Sequence, residues 1–413
     1  MQLLYNLGIR IFLLAVHVAS LFNTKARKWI NGRKNIFDDI RHFSDGPKPV
    51  AWFHCASLGE FEQGRPVIEA FRLKHPQYRI LLTFFSPSGF EVRKNYTHAD
   101  HICYLPADTP ENARRFVEIV NPDFVVFVKY EYWLNYINKI TGRNIPMYIL
   151  SATFRTDQFF FKWYGKWSLK SLKKITRFFV QTKESAKLLE KHGISQITVT
   201  GDTRFDRVST IAREAASLPV IEQFSESQKI MIVAGSTWQP DELLLSKLLN
   251  EFPEKFKLII APHEIHESHL KTIEHQFLNN TIRYSTLPKT GTTDSNVLII
   301  DSIGMLSKLY HYAKISYIGG GFGAGIHNIL EAAVYGVPVL FGPNHHKFQE
   351  ALDLIASGGA YAINSYEGFK KTILNLSDNI NAWQKSADAS NSYVAGKCGA
   401  TTKVISELEK DLL

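Results

Sequence analysis

Short apolar runs recur along this chain, separated by longer segments of mixed polarity. Val50–Cys55, Arg79–Phe84, Phe124–Val128, Met147–Ser151, Arg177–Gln181 and Gln196–Thr200 are continuous and brief, which predicts buried strands rather than amphipathic helices. The stretch from about Glu62 to Lys74 predicts a helix between the first two. The rhythm stops over residues 205–224. It restarts with Lys229–Ala234, Phe256–Ala261, Val297–Ile300, Ile315–Ile318 and Val337–Phe341. Alternating strands and helices predict parallel sheets covered on both faces. The expected fold is α/β, with two Rossmann-like halves and a cleft between them. Ligands of such sheets bind at the carboxyl ends of the strands.

A different pattern opens the chain. Residues Leu3 to Phe22 are mostly apolar, interrupted by Asn6, Arg10 and His17, and Lys25, Arg27, Lys28, Arg33 and Lys34 follow. A cleaved signal would begin with positive charge. The length can span a bilayer, at a cost set by Arg10. An interfacial helix, a single span and a buried first helix are all open readings. If it spans, the basic flank after it places the body on the cytoplasmic side. The resulting organisation is an anchor or interfacial helix over 1–24, a first domain over 25–207, a linker over 208–225 and a second domain over 226–413. The last helix can return to the first domain.

The 413 residues carry 45% hydrophobic and 21% charged side chains, enough for two folded cores. A net charge of +9 points to an anionic partner: nucleic acid, a phosphorylated substrate or an anionic membrane. Cys55, Cys103 and Cys398 form no CxxC pair and no disulfide framework, which favours a reducing compartment.

Candidate chemistry collects after the strands. The run Gly319, Gly320, Gly321, Gly323, Gly325 follows an apolar strand and predicts a tight turn into a helix near His327. Free N–H groups at a helix start attract a phosphate, and Asn328 and Glu331 lie just beyond, suited to a ribose. The glycine spacing also mimics a dinucleotide fingerprint, but no acidic partner stands at the required distance. Glu60 follows the first strand in Ser57-Leu58-Gly59-Glu60, and Glu131 follows Phe124–Val128. Two acids at the ends of two strands of one sheet approach the same crevice, where one can serve as a general base. Each also has a structural role available, as a helix-start acid or an ion-pair partner.

Residues 159–177 combine Phe159, Phe160, Phe161, Trp163, Tyr164 and Trp167 with Lys162, Lys166, Lys170, Lys173 and Lys174, and hold no acid. This predicts a basic aromatic surface helix suited to a membrane or phosphorylated lipid. No nucleic-acid-binding signature accompanies it. In the second half, Ser236 and Thr237 lie in a small-residue turn. Asp301-Ser302-Ile303-Gly304 reads as a helix cap. His263, His266 and His269 do not form H-E-x-x-H, and no D-x-D pair bridges a metal to a diphosphate.

In order and spacing these motifs resemble the 3-deoxy-D-manno-octulosonate (Kdo) transferases of Gram-negative lipid A assembly. The resemblance rests on the apolar N-terminus with its basic flank, Ser57–Glu60, Glu131-Tyr132-Trp133, Gly201–Asp206, Gly235-Ser236-Thr237, Asp301–Gly304, His327-Asn328-x-x-Glu331 and Gly342-Pro343. It implies a GT-B glycosyltransferase, inverting and metal-independent, with CMP-Kdo as donor and no cofactor. The implied acceptor is the acylated, phosphorylated glucosamine disaccharide precursor of lipid A (lipid IVA), at the cytoplasmic face of the inner membrane. It implies Glu60 as general base, with Glu131 and Arg204 assisting the transition state. Implied CMP contacts are Ser236, Thr237, His263, Glu264, Ile303, Gly304, Met305, Gly325, Asn328, Ile329, Leu330 and Glu331. Three positions differ from the usual family pattern. Pro262-His263-Glu264 stands for Pro-Arg-His, Arg204 for a lysine, and Gly304-Met305 for Gly-Glu. The rival readings are another GT-B enzyme using a UDP-sugar and a lipid acceptor, or a related epimerase, and a non-catalytic protein of phospholipid surfaces.

Overall fold

The computed structural model describes residues 1–413 except Asp45, Asn279, Thr292 and Leu413. The chain divides into two compact units, residues 1–207 with 399–413, and residues 208–398.

The first unit is built on a parallel seven-stranded sheet. Its strands are β1 (Val50–Cys55), β2 (Arg79–Phe84), β3 (His101–Tyr104), β4 (Phe124–Val128), β5 (Met147–Ala152), β6 (Arg177–Val180) and β7 (Ile197–Val199). Their order is β3-β2-β1-β4-β5-β6-β7. The chain winds outward from β1 to β3, then crosses back to β4 on the other side of β1. The carboxyl ends of β1 and β4 therefore flank the topological switch point, the usual ligand position in such sheets. Both faces of the central strands are buried, so β1, β4 and β5 read as continuous apolar runs.

The chain's last helix, Ala400–Leu412, belongs to this unit. Val404, Ile405 and Leu408 join the core formed by the helix Leu58–Lys74. Asp206 accepts the Gly399 and Thr401 N–H groups, and Asp411 pairs with Arg177 at 2.6 Å. The last helix thus returns to the first unit, as the sequence reading allowed, and the second unit ends at Cys398. The expected linker is helical, over Thr203–Glu214 and Pro219–Ser225, because Val208, Ile221 and Phe224 are buried apolar anchors.

The second unit repeats the architecture. Its strands are β8 (Ile230–Thr237), β9 (Phe256–Pro262), β10 (Thr281–Arg283), β11 (Val297–Ile299), β12 (Ile315–Ile318), β13 (Val339–Phe341) and β14 (Ala360–Ala362), in the order β10-β11-β9-β8-β12-β13-β14. Here β8 and β12 flank the switch point. β13 starts at Val339 rather than Val337 because Pro338 brings no N–H to the ladder.

One expected helix is absent and another is cut to a single turn. Residues 159–177 form turns, Phe159–Phe161 and Lys166–Ser168, and a single helical turn, Leu169–Leu172. Phe160, Phe161, Leu169 and Leu172 are drawn into the core, and this irregular burial breaks the helical period. After the glycine run the helix near His327 shrinks to Leu330–Ala333.

The first helix, Gln2–Ser20, has no buried residue. It is the one helix among the described residues long and apolar enough to cross a membrane, with a mean hydropathy of 1.6. One of its faces nevertheless binds the first unit. The Tyr5 hydroxyl donates to Asp108, the Gln2 amide donates to Asn135 at 3.0 Å, and Asn135 donates to Asn6 at 3.0 Å. Leu3, Leu4, Leu7, Ile11, Leu14 and Val18 are exposed.

Candidate active site

Ser57, two residues past β1, is extended and directly precedes the helix Leu58–Lys74, so Glu60 falls in its first turn. The Glu60 carboxylate accepts the Ala56 N–H at 2.6 Å, which ties it to the strand end. Burial, and then the nearby Glu131 carboxylate, push Glu60 up from the ordinary carboxyl value to about 8. The Ala56 N–H and Lys129 oppose that rise. Glu131 reaches the same surroundings from the end of β4. The two predicted acids therefore interact, as their strand positions suggest.

Glu131 is held by Trp133 of its own motif and by His54, which no sequence motif singles out. Trp133 donates its indole N–H to Glu131, and the His54 Nε2 lies 3.6 Å from the same oxygen. His54 is fully buried on β1, and its Nδ1 meets the Thr83 hydroxyl at 2.9 Å. Thr83 in turn accepts the Trp52 indole N–H at 2.8 Å. A polar residue inside an otherwise apolar strand is the one signal that could have flagged His54. The backbone beside the pair is strained: Lys129, directly after β4, has φ +69°, and Ser151, at the end of β5, has φ +54°.

Arg204 sits at the start of the helix Thr203–Glu214. Its side chain is paired with Asp202, at 2.9 Å from Nε and 2.8 Å from the terminal nitrogen. Of the five lysines in 159–177, Lys166, Lys170, Lys173 and Lys174 are exposed and Lys162 is half-buried. Trp163 is 84% exposed beside them.

In the second unit the glycine run is shaped by packing. A Cβ on Gly319 would stand 2.3 Å from the Ser236 carbonyl oxygen, and one on Gly321 would stand 2.5 Å from the Gly342 nitrogen. The end of β8 and the loops after β12 and β13 are thus in backbone contact, which only glycine permits. The expected phosphate seat at a helix start is not formed, because a single turn such as Leu330–Ala333 has too few aligned peptides. Several loop N–H groups turn inward instead. The Gly320 N–H goes to Asp241 at 2.9 Å, and the Gly323, Gly325 and His327 N–H groups go to carbonyls of Gly320 and Gly319. Asp241 also accepts the Trp238 N–H and the Tyr317 hydroxyl, so one buried carboxylate pins the β8 turn to the glycine loop.

Three rings gather above this loop. His263 stacks on Trp238 and on His327, each at 4.6 Å between centroids. Burial, and then His263, lower the His327 pKa. Ser236 has φ +54° where β8 bulges, and Thr237 is buried with its hydroxyl on Glu242 at 3.2 Å. Glu264 is exposed, and its carbonyl accepts from His269. Asn328 donates to Glu331 at 2.9 Å, although Asn328 lies before the helix Leu330–Ala333 rather than on its face. The Ile329 and Leu330 side chains are buried, leaving only their backbone to a ligand. Asp301 does not cap the helix Leu306–Leu309. It accepts the Ser285 N–H and hydroxyl instead. Ile303 is left 88% exposed, Gly304 takes φ +93°, and the Met305 sulfur accepts from Ser302. Gly325 adopts φ +136°. Among the described residues no three His, Cys, Asp or Glu side chains converge as a metal site.

The carboxylate pair lies within residues 32–207, which match the family model described as 3-Deoxy-D-manno-octulosonic-acid transferase (kdotransferase). The chain is related to the kdotransferases. This kdotransferase relative is 28% identical over 321 residues to the 3-deoxy-D-manno-octulosonic acid transferase of Aquifex aeolicus, across 76% of this chain and 81% of that protein. It is 28% identical over 343 residues to the Haemophilus influenzae protein of the same name, across 77% of each. In fold it is similar to the UDP-GlcNAc 2-epimerase of Neisseria meningitidis bound to UDP-GlcNAc. That match has a TM-score of 0.62 and 18% identity, over 88% of this chain and all of the other. The two parallel sheets are those of the GT-B fold.

Proposed function

We propose that this protein transfers Kdo from CMP-Kdo to a hydroxyl of the acylated, phosphorylated glucosamine disaccharide precursor of lipid A. The observation that carries the reading is the pair Glu60 and Glu131 on the switch-point strands, inside the region matched by the kdotransferase family model. Glu60 takes the acceptor hydroxyl proton as that oxygen attacks the anomeric carbon. The bond from that carbon to the CMP phosphate breaks on the opposite face, and configuration inverts. A carboxyl with a pKa near 8 suits this work, because it binds a proton strongly enough to remove one from an alcohol in the transition state. Glu131, fixed by Trp133, offers negative charge to the developing oxocarbenium centre.

The second unit takes the nucleotide. The Trp238–His263–His327 cluster offers ring faces to the base, and Asn328 with Glu331 offers acceptors to ribose hydroxyls. The histidines of this cluster, rather than a metal, meet the leaving phosphate.

The first helix lies in the plane of the membrane interface. Its polar face is occupied by Asp108 and Asn135, and its apolar face is exposed. A spanning helix would have to leave those partners. The exposed lysines and Trp163 of 159–177 add a basic, aromatic surface for anionic lipid.

The test is incubation of the purified protein with CMP-Kdo and the tetraacylated precursor, followed by product mass analysis. Addition of Kdo is expected. Sugar transfer from a UDP-sugar, with none from CMP-Kdo, would sink the reading in favour of another GT-B enzyme.

A further inference from the structure

A groove of about 270 Å³ separates the first helix from the body of the first unit. Leu13 lines it from the helix. Trp29, Ile30, Arg33 and Lys34 form one wall, and Ala107, just beyond β3, lies on another. The lining is mainly apolar, yet it contains a cation held in an unusual way. The Arg33 guanidinium lies 3.7 Å from the Trp29 ring centroid and 4.7 Å from that of Tyr104. Its N–H groups donate to the carbonyls of Leu105, Trp29 and Phe85 at 2.7–2.9 Å. Three of its five N–H groups are thereby used. Among the described residues no carboxylate pairs with it. Arg33 is half-buried, and a cation drawn partly out of water without a counter-anion gains from an arriving anion. Trp29, also on the groove wall, has a buried indole N–H with no acceptor. Both groups call for a ligand oxygen beside an apolar chain.

The groove also adjoins the carboxylate pair. Arg33 lies over Phe85, the Phe85 ring packs on Trp133 at 4.8 Å, and Trp133 holds Glu131. Two aromatic side chains thus separate the groove from the proposed chemistry.

We propose that this groove is the acceptor's anchoring subsite: it takes one acyl chain, with a phosphate of the same molecule at Arg33 and Lys34. The proposal rests on the lipid-acceptor reading above. The helix is held by polar contacts at Gln2, Tyr5 and Asn6 and by the Phe12 ring, packed on Trp29 and Phe85 at 6.1 and 6.3 Å between centroids. The groove lies beside that ring contact, at Leu13 and His17, and is open to a chain entering from the interface.

The test uses full-length protein in micelles and the tetraacylated precursor with a diazirine at an acyl terminus. After irradiation, labelled peptides are mapped by mass spectrometry. Label within residues 13–37 and 104–112 is expected. Leu13→Trp fills the groove from its partly exposed side, and Lys34→Glu reverses an exposed charge. Each should cut that label about tenfold, the loss produced by about 1.4 kcal/mol. Label confined to the exposed helix face would overturn the proposal. So would a diazirine phosphatidylglycerol that labels the groove equally well and is not displaced by unlabelled precursor, because the occupant would then be a bilayer lipid. Labelling needs no turnover. Groove label without Kdo transfer would sink only the transferase reading, and transfer without groove label would sink only this subsite.

Discussion

Glu60→Gln separates chemistry from folding, because the two respond in opposite directions. Loss of a general base lowers turnover by about 10²–10⁴. The same change removes a carboxyl that the fold holds against its preference. Its pKa rises from 4.5 to about 8, through burial and then through Glu131. Between those two values the folded state binds a proton that the unfolded chain releases. Stability therefore falls as pH rises through this window, and the full cost is reached only above about 8. At about 1.4 kcal/mol per unit the rise sets an upper bound near 5 kcal/mol. The amide is still a buried polar group, and Glu131 shares the charge, so a gain of about 2 kcal/mol is expected at pH 8.5. For a unit of this size that is about 4–8 °C in Tm, shrinking toward zero at pH 5. Thermal denaturation of both proteins at pH 5 and 8.5, with turnover measured on CMP-Kdo, checks it. Activity within tenfold of wild type, or a Tm difference that ignores pH, would refute the assignment of Glu60 as a strained base.

Three further outcomes follow from the geometry. Gly321→Ala places a Cβ 2.5 Å from the Gly342 nitrogen and should cost about 1–3 kcal/mol, read as lost amide protection in the loops after β12 and β13. Asp108→Ala leaves the buried Asn135 and Tyr136 N–H groups without their acceptor and frees Tyr5; a loss of about 3 kcal/mol and faster proteolysis after the first helix are expected. Burial lowers the pKa of His269, but its bond to buried Glu242 outweighs this and raises it overall, so the pair's contribution is full below the ordinary histidine pKa and fades as pH climbs through the raised one. His269→Gln should remove that step from a pH series of Tm values between 6 and 9.

The central strands were legible because both their faces are buried, which writes them as unbroken apolar runs. β1, β2, β4 and β12 match their expected bounds to the residue. The edge strands β3, β10 and β14 were missed: His101–Tyr104 and Thr281–Arg283 are short and half-polar, since an edge strand needs little apolar sequence. Glu60 and Glu131 could be placed as a pair because each follows a strand of one sheet. His54 and Asp241 could not, because their roles depend on neighbours distant in sequence.

Local sequence determined what local forces decide: where strands begin and end, which turns need glycine, and which face of the first helix is apolar. The fold alone decided where long-range neighbours go. It sent 399–413 back to the first unit, drew Phe160 and Phe161 out of a surface helix, and spent the glycine loop's N–H groups on internal partners. It also left Arg33 in a groove without a counter-anion. Those outcomes depend on burial and charge supplied by segments far along the chain, and no short window of sequence contains them.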